Sequence, residues 1–347
     1  MTAGAERGAP WPTMVDEAMQ FAQFRPAFLA RRVTTAPGVI AYRALRPANR
    51  VRCLLVRTDV SIDIGLHVPV WNGLRITQPT LNIADTPTGR YVVLEQVIPG
   101  TEAVCEAVLD SLCAALEKMP SGGQPVPVLV RELGIWACFF EKYGHEGLSP
   151  AARQGLFGEL WVLGRILAPL VGTDRAVGAW IGPFGAEHDF QHGVAAVEVK
   201  ATTSRGTVRI SSENQLDDVG LEALCLVVLD LRTLSAGGIT LPALVAETRA
   251  RVLEATGSSA EFDRRLVQAG YLEAHAPLYE DGWAVRATDV YAVQGAFPRI
   301  SRMNVPSPIS RVQYTLALDA CVGHLLSIDE LGATVATHWT SLTSSDS

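Results

Sequence analysis

From Val51 to Ile98, short apolar runs alternate with turn residues. Val51-Arg52-Cys53-Leu54-Leu55-Val56, Leu74-Arg75-Ile76-Thr77 and Tyr91-Val92-Val93-Leu94 each have the length and β-rich composition of a strand. A helical segment from about Thr101 to Lys118 follows, so residues 1–118 read as a β-rich α+β domain. Met119 to Pro127 spells M-P-S-G-G-Q-P-V-P, which neither a helix nor a sheet tolerates internally, and it is the predicted domain boundary. An apolar helix over Val128–Tyr143 then leads into the next domain.

Ser149 followed by Pro150 marks a helix start: the hydroxyl can cap free N–H groups, and proline is pre-set for the first helical position. Leu156, Leu160, Leu163 and Leu167 recur at helical spacing, and Pro169 is expected to end the helix at about Ala168. After the Gly/Pro-rich loop Gly178–Gly185, strands are predicted at Glu187–Phe190, Val194–Thr202, Thr207–Ser211 and Leu224–Leu229. Gln191-His192-Gly193 forms the turn between the first two, and a helix over Glu213–Leu221 joins the last two. Helices at about Leu241–Glu254 and Ala260–Ala269, strands at Trp283–Val293 and Ile309–Leu318, and a Ser/Thr-rich tail complete the pattern. The expected organisation is α/β, with a core domain over 128–235 and a C-terminal α+β extension over 236–347.

Composition narrows the class. A chain of 347 residues suits two or three domains, and 48% hydrophobic with 19% charged content supports a buried core. Met1 to Pro12 lacks a basic start followed by an apolar run, and Leu224–Leu229 falls far short of the ~20 apolar residues of a membrane span. The six cysteines are scattered without a C-x-x-C pair. A soluble chain in a reducing cytoplasm, with no membrane partner, is the expectation. No G-x-x-x-x-G-K-[ST], G-x-S-x-G, H-E-x-x-H or G-x-G-x-x-G occurs, which leaves ATP hydrolysis, serine hydrolysis and dinucleotide binding without support. The net charge of −7 is unhelpful for binding phosphates, so a nucleic-acid enzyme would need local basic clusters. Of 29 basic residues only Lys118, Lys142 and Lys200 are lysines, which singles out Lys200.

Alternation along Val197-Glu198-Val199-Lys200 points the valines into the core and sets Glu198 and Lys200 on one face. A turn at His192-Gly193 would bring Asp189 beside Glu198. Glu159 lies about 60° from the leucine stripe at ~100° per residue, at the edge of the buried helix face. Three converging carboxylates repel one another and call for a cation, and Mg²⁺ suits a few carboxylate oxygens. Taken alone, E-x-K on a strand is more often an ordinary salt-bridged pair. His188 and His192 have zinc-helix spacing, but Gly193 argues against a helix there. Trp161 and Trp180 read as core residues rather than base-stacking platforms, while Arg205 and Arg209 are either phosphate contacts or solvated surface.

Asp189 followed by Glu198-x-Lys200 resembles the PD-(D/E)XK signature of restriction-endonuclease-like nucleases, with His188 where a proline usually precedes the aspartate. Gly155-Leu156-Phe157-Gly158-Glu159-Leu160-Trp161, Trp180 with Gly182-Pro183, His188-Asp189-Phe190 and Glu198-Val199-Lys200-Ala201-Thr202 resemble an uncharacterised bacterial family of PD-(D/E)XK motif proteins, most closely over residues 149–215. The resemblance implies a restriction-endonuclease-like core: a mixed four-stranded sheet flanked by helices. It implies that Asp189 and Glu198 bind Mg²⁺, with Mn²⁺ as a substitute, and that Glu159 adds an acidic contact. Lys200 would position or deprotonate the attacking water, and Gln215 or Asn214 would stand near the catalytic centre. The implied activity is endonucleolytic hydrolysis of DNA in a bacterial restriction or anti-phage system. Its partners would be DNA, other subunits of that system and a second copy of the chain. A catalytically silent DNA-binding or assembly subunit, or a repair or RNA-processing nuclease, would keep the same fold.

Overall fold

A computed structural model of the protein describes residues 11–20, 27–60, 73–83, 88–144, 147–309 and 311–339. The expectations for Met1–Pro12 and for the Ser/Thr-rich tail fall largely outside the described residues. The chain divides into two compact units, Met1–His145 and Glu146–Ser347.

The first unit comprises α1 (Trp11–Gln20), β1 (Leu29–Arg32), β2 (Ala41–Arg46), β3 (Val51–Arg57), β4 (Leu74–Thr77), β5 (Thr80–Leu81), β6 (Gly89–Gln96), α2 (Glu102–Glu117) and α3 (Pro125–Tyr143). Its antiparallel sheet runs β1-β2-β3-β6-β4, with β5 also on β6. The apolar run Cys53–Val56 is fully buried, as an inner strand covered on both faces must be. Tyr42, Ala44, Leu55, Tyr91 and Val93 cluster on one face. The Pro/Gly stretch Met119–Pro127, expected to separate domains, instead covers the turn between α2 and α3 and the first turn of α3, all within this unit. Helix α3 carries an apolar face that includes Leu129 and Leu133, and it buries that face against Ile76, Val92 and Leu94 of the sheet. Apolar burial thus holds it to the first unit.

The second unit opens with α4 (Pro150–Val162), a π-turn at Leu163–Leu167, α5 (Ala168–Val171) and α6 (Thr173–Ala179). There follow β7 (Phe190–His192), β8 (Ala195–Thr202), β9 (Thr207–Ile210), β10 (Ala223–Leu234), β11 (Ile239–Thr240), α7 (Leu241–Thr256), α8 (Ala260–Gln268), β12 (Gly282–Ala292), β13 (Tyr314–Ala317), β14 (Leu325–Leu326) and α9 (Ile328–His338). The main sheet runs β11-β12-β10-β8-β7 with β14 on β12; β8 and β10 are parallel and the other pairings antiparallel.

This mixed sheet differs from expectation in three ways. It is six-stranded among the described residues rather than four-stranded. The segment expected as a separate extension supplies β12, which pairs with β10 along its length. The third predicted strand, β9, lies outside this sheet and pairs with β13, about a hundred residues later. A helix over Glu213–Leu221 does not form either. Only a 3₁₀ turn at Glu213–Leu216 appears, because Asp217 is extended, its Oδ1 accepts from the Val219 N–H at 3.2 Å, and Gly220 has a left-handed φ of 83°.

The helix start falls where the sequence placed it: Ser149 Oγ accepts from the Ala152 N–H at 3.2 Å. Its end does not, since helical turns continue through Pro169 to Val171. In the π-turn the Ala168 N–H bonds to the Leu163 carbonyl. The next such bond would need an N–H on Pro169, which has none. The Gly164 carbonyl left over instead accepts from Arg251 Nη1 at 3.0 Å.

The stripe Leu156, Leu160, Leu163 and Leu167 is buried, and α4 lies close on β8 at Gly158. A Cβ there would come within 2.8 Å of the Ala201 Cβ, whereas one at Gly155 would meet nothing within 4 Å. Gly158→Val is therefore expected to lower stability by about 1–3 kcal/mol through overpacking. Gly155→Ala should raise it by about 0.5–1 kcal/mol through helix entropy. Chemical denaturation of the two variants checks this; equal effects would contradict the close approach.

Candidate active site

The sheet itself gathers the site. His192 pairs with Ala195 and Phe190 with Val197, so Gly193-Val194 form the two-residue turn and the next register position sets Asp189 opposite Glu198. Gly193 takes a φ of 58°, as a turn of this kind requires. Regular pairing stops at Phe190, and the Asp189 Oδ2 accepts from the Val199 N–H at 2.8 Å. A carboxylate thus takes the place of a strand carbonyl, and the backbone N–H is satisfied by a group that also points at the site. The Asp189 carbonyl is held by the N–H groups of Ile181 and Gly182, at 3.0 and 2.9 Å.

Glu198 and Lys200 share a face of β8, as the period of two predicts, and the Lys200 Nζ donates to Glu198 Oε1. Glu198 is 1% exposed, and its Oε2 is buried without a hydrogen-bond partner. From α4, the Glu159 Oε2 accepts from the Trp180 Nε1 at 2.7 Å. Trp180 is wholly buried, with Arg265 donating to its carbonyl. It is a core residue, and it also aims Glu159, a role that its place in the sequence did not show.

Burial dominates the electrostatics. It raises Glu198 to about 8, helped by the Asp189 charge and opposed by Lys200. Burial and then the Asp189 charge push Glu159 well above the ordinary carboxylate range, against the pull of the Trp180 N–H. Burial raises Asp189 too, offset in part by Lys200 and the Val199 N–H. For Lys200, burial would depress the pKa, but Glu198 and Asp189 outweigh it and hold the amine above its ordinary value. One ammonium balances one of three carboxylates, and a divalent cation would balance the other two.

Glu159, Asp189 and Lys200 line a cavity of about 720 Å³, with Glu198 behind them. Gln154, Thr202, Ser204, Ser211 and Thr233 supply neutral polar groups to its wall, with Arg209 and Asp281 as further charged residues on it. The Gln154 Nε2 donates to the Ala201 carbonyl at 2.7 Å, fixing the end of β8; nothing in the motif spacing pointed to it. Gln215 reaches the wall, its Oε1 accepting from the Ser211 N–H at 2.9 Å, while Asn214 does not line the cavity. His188 is buried and His192 stands edge-on to Trp339 on a strand, so the zinc-helix spacing has no helix to act on. Trp161 stacks on Phe157 under the Arg165 guanidinium.

Among the described residues no group of three His, Cys, Asp or Glu side chains is arranged to enclose a metal ion, and the Lys200 ammonium is the cation against Glu198. The donor set nevertheless fits a hard divalent ion. Its ligands are all oxygens, and Glu198 Oε2 is a buried acceptor without a donor.

A mixed sheet that brings an aspartate and a Glu-x-Lys pair together beside a helix-borne glutamate defines a nuclease-like fold of the PD-(D/E)XK class. The family model described as "Putative PD-(D/E)XK family member, (DUF4420)" matches residues 9–319, and the chain belongs to this family. No curated protein and no solved structure matches the chain. No helix among the described residues is long and apolar enough to cross a membrane.

A carboxyl whose pKa is higher in the folded than in the unfolded state keeps a proton that the unfolded chain has released, so folding loses stability as pH rises between the two values. For Glu198 that window runs from about 4.5 to about 8. Thermal unfolding should show stability falling across it, and Glu198→Gln should flatten the slope. A wild-type profile that rises with pH would contradict the burial described here.

Proposed function

We propose that the protein hydrolyses phosphodiester bonds in DNA with the help of Mg²⁺, as an endonuclease. The observation that carries this reading is the convergence of Glu159, Asp189 and Lys200 at one cavity, with Glu198 behind them bearing a buried carboxylate oxygen left unpartnered. Asp189, Glu198 and Glu159 would hold the ion, and Mn²⁺ would be accepted by the same oxygens. When bound, it would supply Lewis-acid stabilisation of the charge growing on the phosphate.

The chain's own residues divide the remaining work. Lys200, kept as an ammonium by its neighbours, donates hydrogen bonds and positive charge toward the phosphate. An ion on Asp189 and Glu198 would screen the charges that hold this proton, leaving Lys200 to position the attacking water or to take its proton. Trp180 keeps the Glu159 carboxyl aimed, and the Val199 N–H keeps Asp189 in place. Gln215 orders the cavity wall through Ser211. A restriction or anti-phage setting with partner subunits follows from the family resemblance, and double-strand cleavage by one site per chain favours a homodimer.

The test is cleavage of supercoiled plasmid and phage DNA by wild type and Lys200→Ala, with Mg²⁺, Mn²⁺ or EDTA. Metal-dependent nicking or cutting should fall by about 10²–10⁴-fold in the variant. Folded wild type that cuts neither DNA with either ion would replace the enzyme with a DNA-binding subunit or a partner-gated nuclease.

A further inference from the structure

The strands β9 and β13 pair in isolation from the main sheet, with Thr207 opposite Ala317, Arg209 opposite Thr315 and Val208 opposite Leu316. Alternation gives this two-stranded ribbon two unlike faces. Val208, Ile210 and Leu316 sink into a cluster with Leu226, Val228 and Tyr291, while Arg209, Thr315 and Ala317 are exposed. Apolar burial fixes the ribbon to the main sheet, so its outer face is a rigid surface.

That face is basic, and its charge is not spent inside the protein. Elsewhere in the second unit Arg153, Arg249, Arg251, Arg286 and Arg299 each ion-pair with an aspartate or glutamate. Arg205, just before β9, Arg209 on it, and Arg311, just before β13, are all exposed, and none has an ion pair among the described residues. The Arg209 guanidinium is steadied by a neutral partner, Gln313, which leaves its charge intact. The nearby Glu213 carboxylate is engaged with the Val312 N–H at 2.9 Å.

The ribbon is continuous with the catalytic cavity. Val208, Arg209 and Ser211 line it together with Lys200, and the Leu318 N–H bonds to the Gly206 carbonyl at 2.9 Å, closing the ribbon's other end. Tyr314 lies within electrostatic reach of Lys200. A strand of nucleic acid whose scissile phosphate met Lys200 would place its neighbouring phosphates along this face.

Building on the nuclease reading above, we infer that the β9–β13 ribbon is the substrate's backbone track, in which Arg205, Arg209 and Arg311 contact phosphates flanking the scissile one. Such contacts position the duplex and carry no sequence information. They also explain how a chain with a net charge of −7 can hold a polyanion: Arg209 lines the cavity, and Arg205 and Arg311 flank the ribbon that carries it.

The experiment is fluorescence anisotropy with labelled duplexes of several sequences, in Ca²⁺ and across a salt series, on the full chain. Each of Arg205→Ala, Arg209→Ala and Arg311→Ala should weaken binding equally for every sequence and flatten the slope of log affinity against log salt by about 0.9, the value for one lost phosphate contact. Arg209→Lys should keep the wild-type slope. Arg175→Ala, which removes another exposed and unpaired arginine of the same unit, should change nothing. Matching thermal melts would show that the variants fold. Wild-type slopes in the three ribbon variants, or losses confined to particular sequences, would overturn the track while leaving the nuclease reading in place. A wild-type chain that binds no duplex would remove both.

Discussion

The second unit is organised around the placement of carboxyl groups where water does not reach. Glu198 is almost completely enclosed, and Asp189 and Glu159 stand close enough for their charges to be felt by one another. Enclosing a carboxylate costs free energy unless a donor or a cation compensates. The compensation comes from several directions: the Lys200 ammonium, a backbone N–H of β8 and an indole N–H from the loop after α6. Two donors lie on β8 and the third on the loop after α6, while the carboxyl groups come from α4, from β8 and from the residue before β7, so helix, loop and strand must all be in register before the carboxyl groups can be buried.

How much of this was legible in the sequence depended on distance along the chain. Where one residue's position is dictated by near neighbours, the reading held. The period of two put Glu198 and Lys200 together, a glycine turn aligned Asp189 with them, and the Ser149-Pro150 cap began the helix that bears Glu159. Where the outcome depended on residues far away, it did not. Nothing near Thr207–Ile210 reveals that its partner is Tyr314–Ala317, and nothing near Trp283 shows that its strand completes the same sheet as Glu198. The continuation of the helix through Pro169 also depends on a guanidinium more than eighty residues later.

The character of the cavity follows from the same economy of charge. Its wall beyond the carboxyl groups is mostly hydroxyl and amide, and the arginine that lines it, Arg209, is hydrogen-bonded to the neutral side chain of Gln313. Neutral donors do not compete with a cation for carboxylates, so in the reading proposed above a phosphodiester on this wall would leave the carboxyl groups free for the ion.

The Trp339 indole N–H, buried, donates to the carbonyl of Ala195, the first residue of β8, at 3.0 Å. The strand bearing Glu198 is therefore secured by a residue made about 140 positions after it, and β9 waits about a hundred positions for its partner. During synthesis on the ribosome, where domains assemble as their segments emerge, β8 gains this anchor and β9 its partner only once the chain has emerged past both. A chain that stopped short of Trp339 would leave the carbonyl at the start of the Glu198 strand without its indole donor, so the last described residue of the chain bears directly on one of its central strands.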